Sequence, residues 1–299
     1  MKVLTLYNTK AGRHDGHLHA SWLKKAIKRK SPESQVTLYA SESIDAMLNF
    51  FKGIEPGFDC IAIIGGDGTV GPTIDAMIKS DLDLPIYCYG RGTANDFASF
   101  LGTNRSPKKA ARIILRNQPS QVDTILVNGT TYACNVACGG AFTNGVTRYN
   151  KKAKRLLGKL AYIIQAAFIA LKLESQTLRF TVDDNTFDAD VYIFYILNSK
   201  NVGGLKGACP VSSISDGNLD LVCIKKCGFF ARISIALSQL SGTLDLNSNV
   251  VHMQGKSFRV EHIDDNIKPN FTHTDIDGNG ADPYPLEVTV GTKIKVFHK

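Results

Sequence analysis

Cys60–Ile64 (CIAII) is an unbroken apolar run that ends in Gly65-Gly66. A strand with no polar face has no side to give to water, so it belongs in the middle of a sheet with helices on both faces. The surrounding pattern agrees. Val3–Tyr7, Val36–Tyr39 and Ile86–Tyr89 are strand-like, while residues 17–30, 43–52, 70–79 and 107–116 carry helical spacing. Alternating strands and helices joined by short Gly-rich turns predict a mostly parallel sheet, with ligands beyond the carboxyl ends of its strands.

Near Val127–Asn128 the pattern changes. Strand signals follow at 131–138, 177–182, 187–197, 219–225, 257–263, 286–290 and 293–297, separated by turns such as Asn128-Gly129 and Asp216-Gly217. Helical stretches interrupt them at about 151–173 and 228–240. The expectation is an α/β domain over 1–128 and a β-rich, sandwich-like domain over 129–294, as 299 residues would suggest. With 43% hydrophobic and 21% charged residues, intrinsic disorder is excluded as a class. The longest apolar candidate for a membrane span, Leu160–Leu171, is too short and is broken by Gln165. Seven cysteines, an odd number, and no signal-peptide pattern point to reduced thiols in the cytoplasm.

Gly65-Gly66-Asp67-Gly68-Thr69 joins the CIAII strand to a helix. Glycines let backbone N–H groups close around a phosphate, and a helix N-terminus favours an anion. An ionised aspartate there would repel phosphate unless a cation lies between, so Asp67 points to Mg²⁺ and phosphoryl transfer. The same spacing also describes a plain strand-to-helix turn with Asp as a cap. Gly66-x-Gly68-x-x-Gly71 imitates a dinucleotide fingerprint but follows about the third strand, where the fingerprint opens the first unit. Gln254–Ser257 imitates the end of a P-loop, but Val250 stands where that motif needs glycine. A second turn, Gly90–Phe97 (GRGTANDF), lies at the same predicted edge and brings Thr93, Asn95 and Asp96; Asp123 opens the strand VDTILV.

GGDGT together with GTANDFA resembles the bacterial soluble lipid kinases of the diacylglycerol kinase catalytic-domain family, relatives of sphingosine kinases and NAD kinases. Asn8-Thr9-Lys10-Ala11-Gly12-Arg13 is similar to the family's nucleotide loop, with Thr9 for proline and Ala11 for serine. Gly158–Tyr162, Pro210 and Asp216–Asp220 match further family segments. The resemblance implies a phosphofructokinase-like nucleotide domain and a β-sandwich, with residues 295–299 returning to the first. It implies ATP held by Asn8–Arg13, Ser41, Gly65–Thr69, Thr93 and Asn95. Asp67, Asp96 and Asp123 would organise a catalytic Mg²⁺ and its waters; Asp216, with Ser213 and Asn218, would hold a structural Mg²⁺. Spacing alone reads Asp216-Gly217 as an ordinary turn. The general base of the family falls on Asp277, where the Asp-Gly-Glu motif becomes Asp277-Gly278-Asn279. That exchange removes one charge beside the base.

The implied reaction is ATP-dependent phosphorylation of a lipid hydroxyl, diacylglycerol giving phosphatidic acid. An NAD kinase is the runner-up, although the Asn-Glu pair of that family is missing. A nucleotide or lipid sensor without turnover is a third reading, motivated by Asn279. The chain carries a formal charge of +8, and 146–173 contains seven basic residues and no acid beside a broad apolar surface. Such a helix suits transient contact with an anionic membrane from its inner face, or the protein core. Nucleic acid is not expected, since the basic residues are not interleaved with exposed aromatics. Cys134-x3-Cys138 and Cys223-x3-Cys227 lie in apolar runs and do not suggest zinc. A homodimer is left open.

Overall fold

The computed structural model of the protein describes residues 1–9, 15–103, 106–140, 174–202, 207–209, 211–279 and 283–299. Lys10–Arg13, Pro210 and the basic segment 146–173, with Gly158–Tyr162 inside it, lie outside the described residues.

In the first half, β1 (Lys2–Asn8), α1 (Gly16–Lys30), β2 (Gln35–Ser41), α2 (Ile44–Lys52), β3 (Cys60–Gly65), α3 (Asp67–Ile78) and β4 (Ile86–Gly90) alternate. They are followed by α4 (Asp96–Phe100), α5 (Pro107–Arg116) and β5 (Ser120–Val122). Strands β2-β1-β3-β4 pair in parallel. All six residues of β3 are buried. Its alternate side chains enter different cores. Ile61 and Ile63 pack with Met47, Phe51, Val70, Ile74 and Phe97 from α2, α3 and α4. Cys60, Ala62 and Ile64 pack with Ala20, Leu23 and Ile27 of α1 and with Ala110 and Ile113 of α5. The helix ends are conventional. Lys28, Arg29 and Lys30 occupy the last turn of α1, where cations suit the dipole. The Ser43 hydroxyl caps α2 by accepting from Ala46 N at 3.1 Å.

The second half is antiparallel: β6 (Ile125–Val127), β7 (Thr131–Ala133), β8 (Val136–Gly140), β9 (Gln176–Val182), β10 (Asn185–Leu197) and β11 (Leu219–Lys225). Then come α6 (Phe229–Ser241), β12 (Val250–Gly255), β13 (Ser257–His262), β14 (Thr274–Ile276) and β15 (Leu286–Val290). Pairing runs β12-β11-β10-β9-β13-β15-β6-β7, with β8 joining β10 to β14. β10 is the branch point. On one side it pairs first with β9 through Asn185–Val191 and then with β8 through Ile193–Leu197. The sheet therefore divides and folds over an aromatic core of Phe180, Phe194, Phe258 and Phe271. The architecture is a parallel-rich α/β layer plus an antiparallel β-sandwich.

The change of sheet falls between Val122 and Ile125, ahead of residue 128. Asn128 and Gly129 have positive φ (48° and 66°) and make the hairpin between β6 and β7, so that turn lies inside the second sheet. The chain returns at its end: β16 (Ile294–Val296) lies between β4 and β5. The two crossings run side by side. Gly291 N donates to Thr124 O at 2.8 Å, and Thr124 Oγ1 donates to Thr292 O at 2.7 Å.

Val296 is fully buried between β4 and β5. Val296→Asp would place an unpaired charge there and is expected to remove several kcal/mol of stability, a fall in Tm on the order of 10 °C by calorimetry.

Candidate active site

Strands β1 to β4 end at one edge, and the predicted nucleotide residues end them. Asn8 is opposite Ser41, Tyr7 opposite Ile64, and Gly65 opposite Gly90. Asn8 Nδ2 reaches Thr69 Oγ1 at 3.5 Å. Thr9 donates to Ser41 O from N (3.4 Å) and from Oγ1 (3.5 Å). Polar residues from three separate stretches, Asn8-Thr9, Ser41 and Thr69, thus meet at the carboxyl edge, where α/β sheets take ligands.

The two glycine turns are built against each other. A Cβ on Gly66 would stand 2.7 Å from Gly92 Cα, and one on Gly92 2.5 Å from Gly66 Cα. Only a pair of glycines permits that approach. Arg91 N donates to Gly65 O at 2.6 Å. Asn95, left-handed at φ 54°, closes the second turn with both ends of its amide: Oδ1 accepts from Gly92 N (2.6 Å) and Nδ2 donates to Gly92 O (2.8 Å). Asn95 is buried and spends its amide on the turn, whereas Thr93 is exposed. The Arg91 guanidinium pairs with Asp15, tying this turn to the chain after β1.

Asp67 opens α3, and its Oδ1 accepts from Phe97 N at 3.3 Å. The carboxylate is partly exposed beside exposed Gly68, an acceptor-only group among backbone donors. Those features fit a hard dication on Asp67. Asp96 is the first residue of α4 and is buried. Asp123 is fully buried at the crossing between sheets. Its Oδ2 accepts from Gly217 N at 2.8 Å, and Lys293 Nζ lies 3.3 Å from Oδ1 without hydrogen-bond alignment. Among the described residues these three aspartates do not bring their oxygens within direct sharing distance of one ion. Asp123 Oδ1 and Asn198 Oδ1 are buried and accept no hydrogen bond, so ordered water would satisfy them.

Asp216 is exposed, and its oxygens accept from Asn218 N (3.1 Å) and Gln254 Nε2 (3.2 Å). Ser213 and Asn218 flank it in the same turn. Gly217 N, held by Asp123, connects this turn to the crossing.

Asp277 follows β14 in a left-handed conformation, φ 52°. Its Oδ2 accepts from Cys134 N (2.7 Å) and its Oδ1 from Asn135 N (3.1 Å) and Val136 N (2.9 Å). Oδ2 also faces α3: a Cβ on Gly71 would stand 2.8 Å away. Gly71 is one helical turn after Asp67, so the two acids share a face of α3. Asn279, the residue that departs from the family pattern, sits over Gly68, with Oδ1 3.2 Å from the position of a Cβ there. Burial pushes Asp277 up to about 6, against the pull of its backbone donors, and the Asp67 charge adds to the rise. Because the folded value lies above the ordinary one, ionising Asp277 costs stability. That cost is absent below about pH 4 and reaches roughly 3 kcal/mol above pH 6.

Sequence reading missed a buried polar network beneath these acids. Asn198 Nδ2 donates to Asp123 O (2.6 Å) and Cys134 O (3.1 Å). Ser199 Oγ donates to Asn135 Oδ1, and Asn135 Nδ2 donates to Asn201 O at 2.9 Å. Asn201 Nδ2 reaches Asp96 O at 3.5 Å. The available signal was Asn198-Ser199, a polar pair directly after the apolar run of β10. Gly66→Ala must displace the backbone of Gly92 and is expected to weaken ATP binding roughly tenfold or more by calorimetry; unchanged affinity would mean that nucleotide does not use these turns.

The profile of the diacylglycerol kinase catalytic domain matches residues 2–127, and that of the YegS C-terminal NAD kinase beta sandwich-like domain matches 137–297. The chain is 29% identical over 204 residues to a Bacillus subtilis diacylglycerol kinase, covering 68% of this chain and 67% of the relative. It is 27% identical over 259 residues to a Stenotrophomonas maltophilia protein named "Probable lipid kinase YegS-like", covering 76% and 83%. A crystal structure of a diacylglycerol kinase from Bacillus anthracis superposes with a TM-score of 0.76 at 23% identity, covering 100% of this chain and 97% of that one. With the two glycine turns and the Asp277 turn docked on α3, the chain belongs to the family of the diacylglycerol kinase catalytic domain, carrying the YegS-type C-terminal sandwich.

Proposed function

We propose that this chain transfers the γ-phosphoryl group of ATP to a lipid hydroxyl, with diacylglycerol as acceptor and phosphatidic acid as product. The observation that carries the reading is Asp277 docked against the first turns of the helix that Asp67 opens. Mg²⁺ bound at Asp67 would supply charge neutralisation on the phosphates. The backbone of Gly65–Thr69 and the Gly90–Asn95 turn would seat the nucleotide, with Asn8, Thr9, Ser41 and Thr93 around it. Three backbone donors fix the Asp277 carboxylate, and a value near 6 leaves it ionised at neutral pH. It can therefore take the proton of the acceptor hydroxyl as that oxygen bonds to phosphorus and ADP departs. Asn279, exposed over Gly68, offers an amide beside the transferring group without adding charge.

The test is an assay with labelled ATP, Mg²⁺ and mixed micelles of candidate lipids, NAD included as a competing acceptor. Labelled phosphatidic acid is expected, with kcat reduced about a hundredfold or more in Asp277→Asn. The wild-type kcat should fall on the acid side with a midpoint at or below about 6. No labelled lipid from folded wild-type protein, or faster labelling of NAD, would end this reading.

A membrane acceptor requires a membrane contact, which we place on α1 and α5. Residues 16–30 carry five cations and 107–116 carry four, with no acid in either helix. Arg29, Lys30, Lys108, Lys109 and Arg112 line a groove between them. Trp22, the single tryptophan, is 47% exposed and lies two turns before Arg29 on α1. Cations beside an exposed indole suit an anionic bilayer surface. Among the described residues no helix is long and apolar enough to cross a membrane. Trp22 emission should shift to the blue with phosphatidylglycerol vesicles and return at high salt; emission indifferent to those vesicles would rule out this contact.

A further inference from the structure

One trio of metal-ligand side chains does converge among the described residues, and it lies outside the phosphoryl-transfer site: Cys209, Asp220 and His252. Asp220 is on β11 and His252 on β12. The register puts His252 opposite Val222, so Asp220 stands diagonally from it on the same sheet face. Cys209 approaches from the segment laid over that face, packed with Val202, Val222, Ile235, Leu244 and Val250. His252 Nε2 lies 2.7 Å from Asp220 Oδ1 and 3.5 Å from Cys209 Sγ, and all three ligand atoms fall within 4.8 Å of one another. Asp220 and Cys209 are 1% and 0% exposed, whereas the His252 side chain keeps 24% of its surface open.

We propose that Cys209, Asp220 and His252 form a zinc-type metal centre, with a water from the open side of His252 as fourth ligand. A tetrahedral ion with sulfur at about 2.3 Å and nitrogen and oxygen at about 2.0–2.1 Å sets S···N near 3.5 Å and N···O near 3.3 Å. The first separation is already present; the second requires an opening of about half an ångström. A thiolate, a carboxylate and a neutral imidazole together offset the charge of one dication, so the apolar layer would hold no net charge with the ion bound. Thiolate and imidazole select zinc or cobalt over magnesium, which prefers oxygen. The ion would clamp the 207–209 segment onto β11 and β12 and take no part in the transfer chemistry.

The test is titration of chelator-treated full-length protein with Co²⁺ and then Zn²⁺. Expected are one Co²⁺ per chain and a thiolate-to-cobalt charge-transfer band that zinc abolishes and excess Mg²⁺ does not. Cys209→Ser should lose the band, and His252→Gln should weaken zinc binding about a hundredfold or more. Cys227→Ser and Asp216→Asn should retain both. Circular dichroism certifies each variant as folded. A folded wild type with no charge-transfer band, or a band that survives Cys209→Ser, overturns the proposal. So does loss of zinc binding in Asp216→Asn with binding intact in His252→Gln.

Discussion

The carboxylate of Asp277 is where the two sheets become one machine. It leaves the β-sandwich in a left-handed turn, takes three backbone N–H groups from Cys134–Val136, and rests on Gly71 of α3. A shorter side chain could not reach all three donors, and any side chain at position 71 would push it off the helix. The contact fixes the distance between this carboxylate on one sheet and the Gly65–Thr69 turn on the other. Further along α3, Asp75 repeats the device by accepting from Tyr132 N at 2.8 Å. That helix therefore serves as the shared wall of both halves.

A site crowded with aspartates has to dispose of their charge, and each is treated differently. Asp123 is neutralised by Lys293 and used to stitch the two chain crossings. Asp277 is pushed up to about 6 by burial and held back by its backbone donors. Of Asp67, Asp123 and Asp277, Asp67 keeps partial access to solvent, at the carboxyl edge of the parallel strands. The Asn135–Ser199–Asn201 network beneath them carries no charge, so it positions the acids without adding to their repulsion.

Much of the fold was legible because burial on both faces leaves a direct trace. β3 has to be apolar at every position, and the helices on either side show their period. The glycine turns were legible for a related reason: Gly66 and Gly92 touch backbone to backbone, so no other residue fits. The placement of Asn128-Gly129 was not. A hairpin signal is local and looks the same at a domain boundary and inside a sheet, and only pairing with β15 put β6 in the second sheet. Asn95 read as a nucleotide contact from its motif, and what the motif did not show is that its amide also closes its own turn on Gly92.

Sequence by itself determined the alternation of elements, the phosphate-type turns and the presence of acids near them, because these follow from local pattern and the steric demands of glycine. Tertiary structure alone decided which acids meet which donors, that β16 lies between β4 and β5, and that Cys209, Asp220 and His252 come together. Those outcomes depend on register between strands far apart in the chain, and the spacing of residues along a sequence holds no record of register.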